Sequence, residues 1–185
     1  MKETILKQSS IIKAELHTPK DYEIDRAFLK SHIYDSILIR DNRKTQDKTS
    51  FFYNDYKFTY TAELDRLINL VRERFAVFKK QQLMLMDFWA NNFYPNQGSE
   101  FSMNRQVFPH VEETPNYVMV YALNKEEESC NLVFDYINIR GETNTYYIKL
   151  KNNEYVIFPS DLKYRFEKNK AEEPANFITV TFLIR

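Results

Sequence analysis

The 185-residue sequence has little glycine, little cysteine and no net charge. Its two glycines, Gly98 and Gly141, are far fewer than the roughly 7% of an average protein, which excludes phosphate-binding loops built on several glycines. The single Cys130 excludes an internal disulfide and is expected to be a buried apolar residue. Lys+Arg and Asp+Glu both total 26, so we expect neither nucleic acid nor a membrane surface as a partner.

Long apolar runs are also missing. No window approaches the roughly 20 apolar residues of a membrane span. The N-terminal stretch MKETILKQSS lacks the apolar core of a signal peptide. We therefore expect a soluble protein that stays in the cytoplasm where it is made and is not exported.

Aromatic residues, in contrast, are abundant. The chain has 15 Phe and 13 Tyr, which suit the half-buried surface of a β-sheet. Short strand-like segments dominate its second half and are separated by polar turns, a spacing typical of a jelly roll or barrel-like sandwich. The predicted strands after the first, at 10–17, are 83–91, 106–110, 117–123, 131–137, 145–150, 155–158, 163–166 and 176–184.

Two segments have helical periodicity. Residues 21–37 form a predicted first helix that Asp21 could cap, and 61–81 form a longer amphipathic helix with Thr61 as its cap. Its apolar stripe should lie against a sheet. The predicted fold is therefore mainly β with flanking helices (α+β), in one domain over 1–185, with an N-terminal extension over 1–60 and a core over 61–185.

Only one of the three histidines stands in a pattern typical of metal binding. His17 and His32 are expected to be ordinary half-exposed residues. His110 and Glu112 are two apart on an extended segment, so their side chains share a face. Such a pair supplies two of the three ligands of a non-haem Fe(II) site, although a hydrogen-bonded histidine beside a solvated turn has the same pattern.

Three motifs surround this pair. They are Trp-Ala-Asn at 89–91, 110-HVEETPNYVMVYAL-123, and 158-FPSDLKYRF-166, which contains a Pro-Ser-Asp turn between two strands. In this combination the chain resembles the phage and bacterial branch of the 2-oxoglutarate and Fe(II)-dependent oxygenases, which are prolyl-hydroxylase-like. The resemblance covers about residues 60–184. It implies a double-stranded β-helix of the jelly-roll or cupin type, with the long helix packed on its sheet.

The resemblance also implies where iron would bind. The ligands would be His110, Glu112 and the residue at position 164, where the family has histidine and this chain has Tyr164. Glu112 is a longer carboxylate than the usual aspartate. A tyrosine can ligate iron as phenolate, but its pKa, ordinarily about 10, must then be lowered by the metal.

The co-substrate pocket departs from the family as well. The resemblance places Tyr121, Trp89 and Asn91 around 2-oxoglutarate, and it aligns Phe177 with the arginine that pairs with the co-substrate carboxylate. A phenyl ring cannot make that pair. Arg165 is expected on the opposite face of its strand from Tyr164, so it is no substitute.

These departures predict a non-catalytic protein without a cofactor that uses the oxygenase-like fold as a structural or assembly module. The family is common in tailed phages, so a virion component of the head, neck or tail is the implied role. One alternative is an active hydroxylase that uses Fe(II) and 2-oxoglutarate. Another is a cupin-like binding protein with a pocket lined by Tyr121, Tyr164 and Trp89.

The predicted partners are other protein subunits, in a homo-oligomer or a larger assembly. The aromatic segment 51–60 is the candidate interface, because aromatic side chains are enriched at interface centres. A buried strand pair would explain the same segment. The candidate interface residues are Phe51, Phe52, Tyr53, Tyr56, Phe58 and Tyr60.

Overall fold

The computed structural model describes residues 1–6, 9–18, 23–42, 55–99, 114–127, 129–137 and 140–185. These residues form ten strands and two helices. The first half contains β1 (Lys2–Leu6), β2 (Ser9–Glu15), α1 (Arg26–Asn42), β3 (Asp55–Tyr56), α2 (Ala62–Lys79) and β4 (Leu83–Phe93). The second half contains β5 (Tyr117–Asn124), β6 (Leu132–Ile137), β7 (Thr143–Ile148), β8 (Glu154–Pro159), β9 (Lys163–Phe166) and β10 (Ala175–Ile184).

The strands form two antiparallel sheets. The larger sheet has the order β1-β2-β8-β5-β10-β4-β3, and the smaller has the order β7-β6-β9. The predicted jelly-roll-like α+β class is confirmed. Strands β1 and β2, from the predicted N-terminal extension, belong to the same sheet as the later strands.

Two apolar clusters separate the layers. The helix-side cluster joins the larger sheet to α1 and α2, and the interior cluster joins it to the smaller sheet. Strand β5 contributes side chains to both clusters, because successive side chains of a strand point to opposite faces of the sheet. Val118 and Val120 belong to the interior cluster, whereas Met119 and Tyr121 belong to the helix-side cluster.

Helix α2 is close to its prediction. The side chain of Thr61 accepts a hydrogen bond from the backbone N–H of Leu64 at 3.2 Å, as an N-cap does. The helix buries the stripe Leu64, Leu67, Ile68, Val71 and Phe75. Phe78 continues the same helical spacing, but it lies in the last turn of the helix and is 39% exposed.

The beginning of the chain differs more from its prediction. Helix α1 begins at Arg26 and not at residue 21, and the Asp25 side chain accepts a hydrogen bond from Phe28 N at 2.9 Å. Asp21 lies outside the described residues. Strand β1 was not predicted, because its polar sequence shows no alternation of apolar residues. In the described part of the chain, neither helix is long and apolar enough to cross a membrane.

Candidate functional site

The Pro-Ser-Asp turn directs Tyr164 into the barrel. The backbone N–H of Leu162 donates to Pro159 O at 3.1 Å and closes the predicted turn between β8 and β9. Tyr164 is 5% exposed. Its ring lies 5.0 Å from that of Phe158 and 6.3 Å from that of Phe134, so its side chain is part of an aromatic core.

Phe177 occupies the same core from β10. It is completely buried, and its ring lies 4.8 Å from that of Phe166 and 6.2 Å from that of Phe93. The rings of Tyr164 and Phe166 are 6.2 Å apart, so the contacts are continuous. We call this region the aromatic half of the interior, and it consists of Phe93, Phe134, Phe158, Tyr164, Phe166 and Phe177.

Beyond Phe177 the interior becomes polar. Thr179 and Thr181 follow Phe177 at every second position of β10, and both are completely buried. On the antiparallel neighbour β4, Asn91 and Trp89 precede Phe93 at every second position and so share its face. We call the set Trp89, Asn91, Thr179 and Thr181 the polar half of the interior.

One short hydrogen bond ties the polar half together. Thr179 Oγ1 lies 2.5 Å from Asn91 Oδ1, so the threonine hydroxyl donates to the amide oxygen. Trp89 is 7% exposed and has the ammonium group of Lys57 5.6 Å from its ring centroid. Lys57 also pairs with Asp87. Trp89 and Asn91 therefore lie on the interior face of β4, and their predicted role around 2-oxoglutarate stays a prediction.

Tyr121 does not face the interior. Its side chain belongs to the helix-side cluster, where its hydroxyl donates to Asn153 Oδ1 at 3.0 Å, whereas Tyr164 belongs to the interior cluster on the other side of the larger sheet. Burial raises the pKa of Tyr121. The predicted role of Tyr121 in a co-substrate pocket is wrong for this reason, and so is the cupin-like pocket lined by Tyr121, Tyr164 and Trp89.

The two remaining predicted iron ligands, His110 and Glu112, lie outside the described residues. Among the residues that the structure describes, no group of three His, Cys, Asp or Glu side chains could hold a metal ion. His17 is exposed at the end of the first long strand, and His32 stacks edge-on against Phe28 at 4.4 Å.

The residues present fit the oxygenase site poorly at two positions. Tyr164 is packed among phenyl rings. Phe177 has no hydrogen-bond donor for a carboxylate, and apolar side chains fill the region around it. Neither side chain can therefore act as the ligand histidine or the arginine that the resemblance implies at these positions. The iron and 2-oxoglutarate would have to be held in another way.

The aromatic segment is split between the core and the surface. Tyr56 and Phe58 are 8% and 7% exposed, so the core, and not a free surface, holds them. Tyr60 is 44% exposed and its hydroxyl donates to Asp65 Oδ1 at 2.5 Å. Burial and this bond raise the pKa of Tyr60 to about 12. Phe51, Phe52 and Tyr53 lie outside the described residues.

Thr179 and Thr181 were not predicted as interior residues. Their strand, FITVTFLI, combines polar and apolar residues with period two, but the apolar residues on the other face are equally buried. The spacing Phe-x-Thr at 177–179 was the one sequence feature that places Thr179 on the same face as Phe177. That this face is the interior follows only from the pairing of β10 with β4, which sets Thr179 beside Trp89.

Comparison with known proteins shows that this chain resembles several solved structures in its fold. No family model matches the chain, and no curated protein matches it. Among solved structures, a prolyl-4-hydroxylase from Pseudomonas putida is 14% identical with a TM-score of 0.59, over 95% of this chain and 92% of that one. The non-heme alpha-ketoglutarate-dependent epimerase SnoN from nogalamycin biosynthesis is 9% identical with a TM-score of 0.65, over 94% and 77%.

A third neighbour is larger. It is a 2OG-Fe(II) oxygenase family oxidoreductase from Burkholderia pseudomallei, 7% identical with a TM-score of 0.53, and the match covers 70% of this chain. This chain spans 60% of that protein. At such identities the likeness concerns the fold alone. The chain therefore has the fold of the 2OG-Fe(II) oxygenases, and an aromatic core around Tyr164 and Phe177 fills part of its interior.

Proposed function

We propose that this protein uses the oxygenase-like barrel as a non-catalytic binding or assembly module. The observation that supports the proposal is the aromatic half of the interior, where Tyr164 and Phe177 pack against four phenylalanine rings. These two positions are the ones at which the family resemblance expects a ligand histidine and a co-substrate arginine.

The physical argument concerns charge. Bringing the carboxylate of 2-oxoglutarate against Phe177 would remove it from water without a compensating hydrogen bond, which costs several kcal/mol or more. A phenolate at Tyr164 would have to form within a cluster of phenyl rings. Both costs act against a bound co-substrate and metal.

Anaerobic titration tests this proposal. Fe(II) and 2-oxoglutarate are added to the intact protein, and we expect no charge-transfer absorption band, no saturable heat of 2-oxoglutarate binding and no succinate after oxygen is admitted. Succinate formed in proportion to the protein would contradict the proposal. The double variant Tyr164→His/Phe177→Arg is the matched comparison, because it restores both family side chains in the same barrel.

The assembly part of the proposal concerns partners. We propose association with other protein subunits, in a homo-oligomer or within a phage virion, as the resemblance implies. Large apolar side chains on the described surface support it: Ile5, Leu38, Ile39 and Val77 are each more than half exposed. Light scattering of the purified protein should give a mass above 22.3 kDa, the mass of one chain. A monomer at all concentrations would contradict self-association.

The second candidate is an active 2-oxoglutarate-dependent hydroxylase. The fold shared with the prolyl-4-hydroxylase and with SnoN favours it. His110, Glu112 and Tyr164 would then hold Fe(II), and a basic residue other than one at position 177 would bind the co-substrate. Loss of both bound iron and succinate formation in His110→Ala would support this candidate.

A further inference from the structure

Helix α1 has a second apolar face that does not pack on the barrel. Its buried face is formed by Leu29, Ile33 and Ile37, which belong to the helix-side cluster. On its outward side, Phe28 and Ile39 are 41% and 52% exposed. A helix that only covers a sheet needs one apolar face, so the outer apolar residues call for another explanation.

The outer apolar residues lie on one narrow stripe of the helix. Phe28, His32, Asp35 and Ile39 are separated by steps of four, three and four residues. At about 100° per residue, these steps keep the four side chains within an arc of about 60°. The ring centroids of Phe28 and His32 lie 4.4 Å apart, as neighbours one turn apart on a helix do. Alternating steps of four and three are the spacing of a coiled-coil seam, and we call these four residues the α1 seam.

The residues beside the seam are suited to close contact with another helix. Ser31 and Ser36 flank it, one on each side, and both side chains are small. Their hydroxyls donate within the helix, to Phe28 O at 2.8 Å and to His32 O at 2.9 Å. Because these donors are already bonded, covering them would leave no donor without a partner. Leu38, which is 59% exposed, adds apolar surface on the side of Ser31.

The α1 seam is complementary to itself when it is reversed. If a two-fold axis relates two antiparallel copies of the helix between residues 33 and 34, Phe28 faces Ile39 of the second copy and His32 faces Asp35 of the second copy. An imidazole N–H can donate a charge-assisted hydrogen bond to a carboxylate. No Lys, Arg or His side chain of the described residues lies within ion-pair distance of Asp35. A parallel pair would instead set Asp35 against Asp35, and like charges repel.

We propose that the α1 seam binds a second copy of this chain, in a symmetric dimer whose two α1 helices pack antiparallel. The seam is about 16 Å long at a rise of about 1.5 Å per residue, so the dimer is weak and depends on concentration, as small interfaces do. This inference rests on the self-association proposed above and names the surface that forms it. It does not depend on whether the barrel is catalytic.

Sedimentation velocity of the full chain over a range of concentrations tests the surface. We expect the mass of the wild type to rise from 22.3 kDa towards twice that value as the concentration increases. Phe28→Ala and Ile39→Ala should each weaken dimerisation about tenfold or more, because each removes an apolar side chain from both copies. Val77→Ala, at an 84% exposed position on α2, is the matched control and should leave dimerisation unchanged. Circular dichroism checks that all three variants are folded.

Cross-linking tests the antiparallel order. Phe28→Cys chains mixed with Ile39→Cys chains should form a disulfide-linked dimer that contains one chain of each. Phe28→Cys chains alone should not cross-link. The native Cys130 is 1% exposed and does not compete. A cross-link between two Phe28→Cys chains would overturn the antiparallel order.

The outcomes separate this inference from the broader proposal of self-association. A wild type that dimerises while Phe28→Ala and Ile39→Ala keep its affinity would overturn the α1 seam and leave self-association standing. Equal weakening by Val77→Ala would do the same. A wild type that is a monomer at every concentration would overturn both.

Discussion

The two halves of the barrel interior share strands and burial but differ in chemistry. On β10, Phe177 packs against phenyl rings, and two residues later Thr179 donates to Asn91. The aromatic half is held by ring contacts that fill space, whereas the polar half is held by a hydrogen bond. One barrel interior can therefore combine a region filled by apolar packing with a buried polar region, provided that the polar groups find hydrogen-bond partners.

The largest expected effect tests whether the aromatic half is a filled core. Phe177→Ala should lower the free energy of unfolding by about 3–5 kcal/mol, because it removes a completely buried ring and leaves a cavity. Urea unfolding measures the change. Phe78→Ala, at a 39% exposed position, is the matched control and should cost much less. A cost at position 177 no larger than at 78 would mean that the aromatic half is an open pocket.

A second change acts where the backbone closes over the aromatic half. A Cβ at Gly98 would lie 2.9 Å from both Lys168 N and Phe166 O, so Gly98→Ala must displace backbone and should cost about 1–3 kcal/mol. Gly141→Ala is the control, since its Cβ would meet nothing within 4 Å. Its φ of +82° leaves only a backbone penalty of about 1 kcal/mol. Thermal unfolding should rank the two variants in this order.

The polar half should respond less strongly. Thr179→Val keeps the side-chain shape and removes the hydroxyl that donates to Asn91, so we expect a loss of about 1 kcal/mol in unfolding free energy. Thr145→Val, where the hydroxyl bonds Asp135 at an exposed position, should stay within about 0.5 kcal/mol of wild type. If Thr179→Val stabilised the protein, the polar half would be a functional site held at a cost in stability.

The last effect is absent at neutral pH and concerns the titration of Cys130, in the same interior cluster as the aromatic half. Burial raises the pKa of its thiol from 9.0 to about 12. Its contribution to stability is therefore complete below pH 9 and is lost as the pH rises towards 12. Unfolding measured across that window should show a shallower decline for Cys130→Ala than for wild type. Identical slopes would show that the thiol is not desolvated.

Local features were predicted well from the sequence. Strand β9 matches its predicted range of 163–166, a backbone hydrogen bond closes the predicted turn before it, and Thr61 caps α2. Each depends on residues within one or two turns of the chain, where proline geometry, capping and periodicity act directly.

Features that depend on the sheet face were predicted less well. Tyr121 was assigned to the co-substrate pocket, but strand β5 is apolar and buried on both faces, so its sequence has no alternation that shows which side faces the interior. Tyr56 and Phe58 were candidates for an interface and are buried, because β3 pairs with β4. No local sequence pattern indicates that β3 pairs with β4.

The sequence by itself determined the jelly-roll class and the capped amphipathic helix, because each is read from residue type and short-range spacing. Its resemblance to the oxygenases implied that Tyr164 and Phe177 replace a family histidine and a family arginine. Only the tertiary structure decided what those replacements do. Pairing of distant strands brought Tyr164 and Phe177 into one ring cluster and sent Tyr121 to the helices. It also brought Thr4 of β1 within 3.5 Å of the Tyr146 hydroxyl of β7, although the two residues are far apart in the chain.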